Sequence, residues 1–170
     1  MLEAILVSAL PNIRYLTGFS GSNALLLLTP DRAVLLTDFR YATQVKDEVD
    51  PTVEVIIAAA SLWTELWRVL ALQSDVGSLA FEGAHLLHHE AQRFLADGSE
   101  GARWRWEPVV DLVEGLRETK DADELREIRA AVAIAEAALR ATLPTVRVGM
   151  TERAVAGELE RALRLAGSEG

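Results

Sequence analysis

Residues 24–37 read ALLLLTPDRAVLLT, and this stretch predicts a pair of adjacent strands. Its two apolar runs, Ala24–Thr29 and Ala33–Thr37, are separated by Pro30 and Asp31. Because proline presets the first dihedral angle of a turn and aspartate can bond its own backbone, the two runs are predicted to form an antiparallel hairpin. Four further runs predict additional strands, at Ala4–Ser8, Val53–Ile57, Ser78–Phe81 and Arg103–Trp106.

Helical patterns alternate with these strands. One helix is predicted to begin at Ser61, another to follow Asp38 and end before Pro51, and a third to span His88–Ala96. After the first strand, Pro11 predicts either a turn or a brief helix. Strands alternating with helices indicate an α/β fold, and the hairpin makes it a mixed β-sheet flanked by helices.

From Lys120 onward the sequence predicts only helices. Apolar residues recur at spacings of three and four up to Pro144, which is typical of a long amphipathic helix. Asp121 and Asp123 indicate its start, because carboxylates suit the positive end of a helix dipole. A second amphipathic helix is predicted to begin after Thr151, a good cap residue, and to stop at Gly167. The α/β fold is therefore followed by two amphipathic helices.

The charged turn at Glu118–Asp123 is the best domain boundary. It predicts one domain at residues 1–119 and the beginning of another at residues 120–170. The two amphipathic helices must bury their apolar sides, and the α/β domain has already used the faces of its sheet. They therefore require either a second copy of the chain or the rest of a larger domain.

Composition excludes several classes of function. The chain has 170 residues, a net charge of −9 and no cysteine. Phosphate-backbone binding needs clustered Lys and Arg, so nucleic acid and anionic membranes are not expected partners. The absence of cysteine removes disulfides and thiolate chemistry, and the opening residues carry an acid and only a short apolar run, unlike a secretory signal or a membrane span. We expect a cytoplasmic protein.

Two motifs resemble functional sites but favour structural interpretations. Gly18–Asn23 lacks the Gly-Lys-Ser/Thr of a phosphate loop and has Ser22 where a nucleophile elbow needs glycine, so a tight turn before a strand is favoured. His85, His88 and His89 have a spacing that a zinc site can use, but an exposed helix start is favoured. The only carboxylates suggested near them are Glu82 and Glu90, which are neighbours in sequence alone.

The tryptophans also favour a structural interpretation. Trp104 and Trp106 alternate with two arginines, a pattern that also occurs in base-stacking surfaces, but in an acidic chain it favours a half-buried strand. Trp63 and Trp67 are spaced as neighbours on one helix face and are predicted to be core or interface anchors.

Asp38, Arg40 and Tyr41 form the most suggestive polar group. They follow a predicted strand, where α/β proteins often place binding residues. A carboxylate there can hold a substrate ammonium, and a guanidinium can hold a carboxylate through two hydrogen bonds. The alternative is that Asp38 caps the following helix while Arg40 and Tyr41 form its first turn.

Two phrases resemble a known family. Asn12–Ser22 reads NIRYLTGFSGS and Leu35–Tyr41 reads LLTDFRY, and both are similar to the amino-terminal domain of Xaa-Pro aminopeptidases and Xaa-Pro dipeptidases, the creatinase and prolidase family. The likeness extends through Phe81-Glu82, the junction Leu116–Leu125 and Val148–Glu152, so it covers essentially the whole chain.

The resemblance implies a division of labour within a longer protein. Residues 1–119 would be the mixed-sheet amino-terminal domain, and residues 120–170 the opening helices of the pita-bread catalytic domain. Relatives cleave the bond between a first residue and a following proline, using two divalent metal ions such as Mn, Zn or Co. Their metal ligands match no residue here, so the resemblance implies no catalytic and no metal-binding residue in this chain, which would be inactive alone.

The resemblance also implies a role for the first domain in oligomer assembly and in access to the active site. We expect a homodimer or higher homo-oligomer acting on proline-containing peptides, with Asp38, Arg40 and Tyr41 approaching a neighbouring subunit's substrate. The alternative is a stand-alone interaction module without a catalytic half. The resemblance does not distinguish an aminopeptidase from a dipeptidase or from a non-peptidase relative. It also leaves the identity of the metal open.

Overall fold

A computed structural model describes residues 3–73, 75–96 and 98–168. The chain separates into two compact units, Met1–Arg117 and Glu118–Gly170. Each unit is described by itself.

The first unit is built on a six-stranded mixed sheet. In chain order the strands are β1 Ala4–Val7, β2 Ala24–Leu28, β3 Ala33–Asp38, β4 Glu54–Ala58, β5 Ser78–Glu82 and β6 Arg105–Val109. Their order across the sheet is β4-β3-β2-β1-β5-β6. The predicted hairpin is confirmed, because β2 pairs antiparallel with β3 and places Leu26 opposite Leu35. β2 is also antiparallel to β1, whereas the other neighbours are parallel.

Four α-helices connect these strands, α1 Leu10–Thr17, α2 Gln44–Glu48, α3 Leu62–Ala71 and α4 His88–Leu95, and a fifth, α5 Leu112–Glu118, follows β6. Short 3-10 turns lie at Phe39–Tyr41 and Glu100–Arg103. Of the two alternatives after β1, the brief helix is the one that forms. The predicted fold class, a mixed β-sheet flanked by helices, is confirmed.

Both faces of the sheet are buried. Successive side chains of a strand point to opposite faces, so Leu25 and Leu27 join a core that contains the tryptophans, whereas Leu26 joins a second core with Ile13 and Phe19. A strand covered on both faces needs apolar residues at every position. This requirement explains the unbroken run of leucines in β2.

Three local predictions differ from the structure. The single helix expected after Asp38 is instead a 3-10 turn followed by the short α2, since Asp38 caps the turn immediately. The strand predicted at Arg103–Trp106 is displaced, because Arg103 ends a 3-10 turn and β6 begins at Arg105. Helix α5 was not predicted, since its seven residues include Gly115 and are too few for a clear apolar period.

The second unit consists of α6 Ala122–Thr142, a 3-10 turn at Leu143–Thr145 and α7 Glu152–Leu165. The amides of Asp123 and Glu124 each donate to Asp121 Oδ1 at 2.8 Å, and the Glu124 carboxylate accepts from the Asp121 amide at 2.9 Å. The Thr151 hydroxyl caps α7 by accepting from the Ala154 amide. The predicted starts of both helices are therefore confirmed.

The apolar side of α6 is largely uncovered. Ile128, Val132 and Leu139 are 46%, 52% and 49% exposed, respectively. Only Ala138, Thr142 and Ala162 are buried among the described residues of the two helices. In the part of the chain that the structure describes, no helix is both long and apolar enough to cross a bilayer.

Candidate functional site at the carboxyl edge of the sheet

A cleft of about 650 Å³ opens at the edge where the parallel strands end. β1, β3, β4 and β5 all point their carboxyl ends toward this edge, because β2 is the one strand that runs against them. The cleft is lined by Ser8 beyond β1, Asp38 at the end of β3, Ala60 beyond β4 and His85 beyond β5. This is the edge at which open α/β sheets usually bind ligands.

Asp38 is held by its own chain. Its Oδ2 accepts from Asn23 Nδ2 at 2.6 Å and from Arg40 Nη2 at 2.7 Å, while its Oδ1 accepts from the Arg40 amide and from Arg40 Nε at 3.0 and 2.9 Å. The hydrogen bonds from Arg40 and then Asn23 hold the pKa of the Asp38 carboxyl well below its usual range. The capping role that was the alternative for Asp38 is thus observed.

Arg40 and Tyr41 lie beside Asp38, so the structure brings the three predicted residues together. The Arg40 guanidinium lies 5.2 Å from the centre of the Tyr41 ring. The Tyr41 hydroxyl is 2.6 Å from Ser22 Oγ and accepts from the Ser22 amide at 3.2 Å. These two bonds lower the pKa of Tyr41. Arg40 is more exposed than Asp38, with side-chain exposures of 55% and 13%.

The glycine-rich segment before β2 is a tight turn, as predicted. Gly18 ends α1 with φ at +83°, and its amide donates to the Arg14 carbonyl. A Cβ atom at Gly18 would lie 2.5 Å from the Glu48 carbonyl oxygen, so no other residue fits there. The Ser20 amide and hydroxyl both donate to Glu48, which fixes the segment against α2.

The histidines do not converge. His88 and His89 are exposed residues at the start of α4, as predicted, whereas His85 Nε2 lies 2.8 Å from Glu114 Oε1. Within residues 3–73, 75–96 and 98–168, no three histidine, aspartate or glutamate side chains are grouped so that they could hold a metal ion.

A buried polar network beside the cleft escaped prediction. Glu82 Oε2 accepts from the amides of Ser8 and Ala9 at 2.6 and 2.7 Å, so a carboxylate from β5 caps the start of α1. Glu82 Oε1 accepts from Asn12 Nδ2 at 2.6 Å. The available signal was a carboxylate at the end of an apolar strand run, since buried carboxylates require partners.

The same network extends to α5. Asn12 Nδ2 also donates to Glu114 Oε1 at 2.6 Å, and Asn12 Oδ1 accepts from Arg117 Nη1 at 2.8 Å. The bond from Asn12 is the largest of the effects that lower the pKa of Glu114, and His85 adds to it. Every functional group of the Asn12 amide is engaged in α1–β5–α5 contacts, so the network holds three elements together.

Comparisons with known proteins agree with this architecture. A family model described as "Creatinase/Prolidase N-terminal domain" matches residues 1–119. The "Uncharacterized peptidase YqhT" of Bacillus subtilis (strain 168) is 32% identical over 168 residues, which cover 99% of this chain and 46% of that protein.

Two solved structures are similar over 99% of the chain, each with a TM-score of 0.87. One is "Xaa-Pro dipeptidase from Bacillus anthracis", which is 26% identical and is covered over 46% of its length. The other is the X-Pro aminopeptidase from Thermotoga maritima MSB8, which is 28% identical and is covered over 48%.

The mixed sheet and its flanking helices define the class of an amino-terminal α/β domain that is also present in these peptidase relatives. The chain belongs to the creatinase/prolidase family and contains its N-terminal domain. It spans about half the length of the relatives that it matches.

Proposed function

We propose that this chain is the non-catalytic amino-terminal portion of a Xaa-Pro metallopeptidase, which hydrolyses the bond between a first residue and a following proline. The observation that supports the proposal most strongly is that the sequence similarity to a peptidase extends over 99% of the chain. The similarity to a peptidase of Bacillus subtilis runs through 168 residues, and therefore through both units instead of ending with the first.

Residues 120–170, in this proposal, are the opening helices of the pita-bread catalytic domain. The uncovered apolar side of α6 supports it, since an amphipathic helix pair with three buried residues requires further surface to pack on. Residues 1–119 are the domain that precedes them.

The two divalent metal ions of the parent enzyme would be held outside this chain. The donor set here does not fit a metal pair, because no group of three or more acidic or histidine side chains is present among the described residues. We therefore derive no catalytic step from this part of the protein.

The first unit serves homo-oligomer assembly and access to the active site, with Asp38, Arg40 and Tyr41 approaching a neighbouring subunit's peptide substrate. A substrate ammonium reaching Asp38 must compete with Arg40, which occupies both carboxylate oxygens. The Arg40 side chain is 55% exposed, so water can hydrate its guanidinium when a substrate ammonium takes its place on Asp38.

A cytoplasmic location completes the proposal. A chain without cysteine gains nothing from an oxidising compartment, because it has no disulfide to form. Cell fractionation of the source organism with an antibody against residues 1–119 tests the location, and recovery in a secreted fraction contradicts it.

The decisive experiment is an assay of the longer gene product on a Xaa-Pro dipeptide and a Xaa-Pro tripeptide, with and without manganese. Metal-dependent release of the first residue is expected, and the two substrates distinguish dipeptidase from aminopeptidase. Absence of cleavage in all arms overturns the proposal, whereas a stop codon directly after Gly170 favours the stand-alone interaction module.

In the same enzyme, Asp38→Ala is expected to raise KM about tenfold for the dipeptide with the bound metal content unchanged, since it removes one charged contact to the substrate. Asp50→Ala is the matched control, because Asp50 also caps a local turn, through the Thr52 amide, but lies outside the cleft. Equal KM values for the two variants contradict the trans contact.

A further inference from the structure

A second cavity, of about 440 Å³, lies beside the Gly18–Asn23 turn, wholly within the first unit. Its basic residues are Arg14 of α1 and Arg117 of α5, and its apolar wall is formed by Leu10, Pro11 and Phe19. A cavity of this size accommodates a small ligand.

Neither arginine in this cavity forms an ion pair with a carboxylate of the described residues. The Arg14 side chain forms no hydrogen bond and no ion pair within 4.0 Å with any described residue, although its charge helps to lower the pKa of Glu48. Arg117 makes its one side-chain hydrogen bond, among the described residues, to the neutral amide of Asn12.

Many other arginines of this acidic chain are paired. Ion pairs join Arg32 to Glu54, Arg40 to Asp38, Arg68 to Glu65, Arg105 to Glu107, Arg126 to Asp123, Arg140 to Glu136, Arg161 to Glu158 and Arg164 to Glu160. Arg14 and Arg117 share one cavity and form no ion pair with a described residue, so they create a local positive field in a molecule of net charge −9. That field favours an anionic ligand.

The turn beside the cavity selects the kind of anion. A phosphate site typically presents several free backbone amides. Here the Ser20 amide already donates to Glu48 at 2.8 Å, and the Ser22 amide donates to the Tyr41 hydroxyl at 3.2 Å. The charged donors of the cavity are the two planar guanidiniums, which match the two oxygens of a carboxylate. The apolar wall suits a hydrocarbon group attached to it.

We propose that this cavity binds a small carboxylate that carries an apolar substituent, with Arg14 and Arg117 holding the carboxylate oxygens. The carboxyl terminus of a short peptide is such a group. That identity rests on the proposed peptidase function, whereas carboxylate binding itself does not.

The test is a titration of the 170-residue chain, followed by amide chemical shifts in nuclear magnetic resonance. The probes are N-acetyl-L-valine, N-acetyl-L-valine amide, inorganic phosphate and the dipeptide Ala-Val. We expect N-acetyl-L-valine to shift the amides of residues 20–22, and to bind at least about tenfold more tightly than its amide or phosphate.

Arg14→Gln is expected to weaken N-acetyl-L-valine binding about tenfold. It should fold normally, because the Arg14 side chain has no partner to lose among the described residues. Arg103→Gln is the matched control, since Arg103 is an exposed arginine that forms no ion pair with a described residue and does not line this cavity, and it should leave the affinity unchanged. Arg117→Gln is compared only after its thermal unfolding is measured, because it also loses the bond to Asn12.

Equal binding of the acid and its amide overturns the site, as does an unchanged affinity in Arg14→Gln or tighter binding of phosphate. Binding of N-acetyl-L-valine without binding of Ala-Val overturns only the peptide identity. Loss of Xaa-Pro cleavage in the longer gene product bears on the proposed function and leaves this measurement intact.

Discussion

Glu82 illustrates how one buried carboxylate organises its surroundings. It is 4% exposed, and four donors converge on it, namely the amides of Ser8 and Ala9, the Ser8 hydroxyl and the Asn12 side chain. Hydrogen bonds to a charged group are worth more than neutral ones, and donors left buried without an acceptor are penalised. The start of α1 therefore depends on a residue of β5.

Glu82→Ala is expected to lower the free energy of unfolding of the first unit by about 3 kcal/mol, because it leaves several donors unsatisfied. Chemical denaturation followed by tryptophan fluorescence measures this. Glu107→Ala, which removes an exposed carboxylate paired with Arg105, should change it by less than about 0.5 kcal/mol. Similar losses in both variants would refute the capping role.

The depressed pKa of Asp38 should make the stability of the folded protein depend on pH. The pKa of the Asp38 carboxyl is depressed in the folded state, so its stabilising effect is present above the unfolded-state pKa of about 4 and is lost as the pH falls toward the folded-state value. Unfolding midpoints of Asp38→Asn and the parent should therefore differ most at pH 6, with the gap narrowing by pH 2–3. A gap that is constant with pH contradicts this assignment.

The grouping of Asp38, Arg40 and Tyr41 could be predicted from the sequence, because these residues are neighbours in the chain and follow a recognisable strand. Asn12 and Glu82 could not be paired in the same way, since 70 residues separate them and only the β1–β5 pairing places them together. Asn12 opens one of the motif phrases, but its contacts require the tertiary structure.

At the scale of elements, local signals predicted helix α6 well. A long apolar period, an acidic cap and a terminating proline all agree over Ala122–Thr142. The segments that differed are short. The local cap at Asp38 interrupts the helix expected over Phe39–Glu48, and the Ser20–Glu48 contact adds a tertiary constraint. Helix α5 is held by its bonds to Asn12, which lie far away in the sequence.

Asp121→Ala should lower the stability of α6 by about 1 kcal/mol, because the amides of Asp123 and Glu124 lose their acceptor. Thermal unfolding followed by circular dichroism at 222 nm reports the change. Asp121→Asn keeps a good cap and should remain close to the parent. An equal loss in the asparagine variant would mean that charge, rather than capping, is what Asp121 provides.

At the scale of the whole molecule, the two units differ in how much they bury. The first has a core on each face of its sheet, whereas the second buries three described residues. Local stability follows buried contacts, so amides of Ala122–Leu165 should exchange with solvent about two orders of magnitude faster than those of β1 and β2. Hydrogen exchange measured by mass spectrometry tests this, and equal protection would contradict it.

All four tryptophans lie in the first unit, where they gather on one face of the sheet. Trp67 is 6.0 Å from Trp104 and 6.1 Å from Trp106, measured between ring centres. The protein therefore carries a natural optical label for one half of itself. Tryptophan fluorescence therefore reports unfolding of the sheet, because α6 and α7 contain no tryptophan. Far-ultraviolet ellipticity reports helix content, to which α6 and α7 contribute strongly. The two signals together distinguish unfolding of α6 and α7 from unfolding of the sheet.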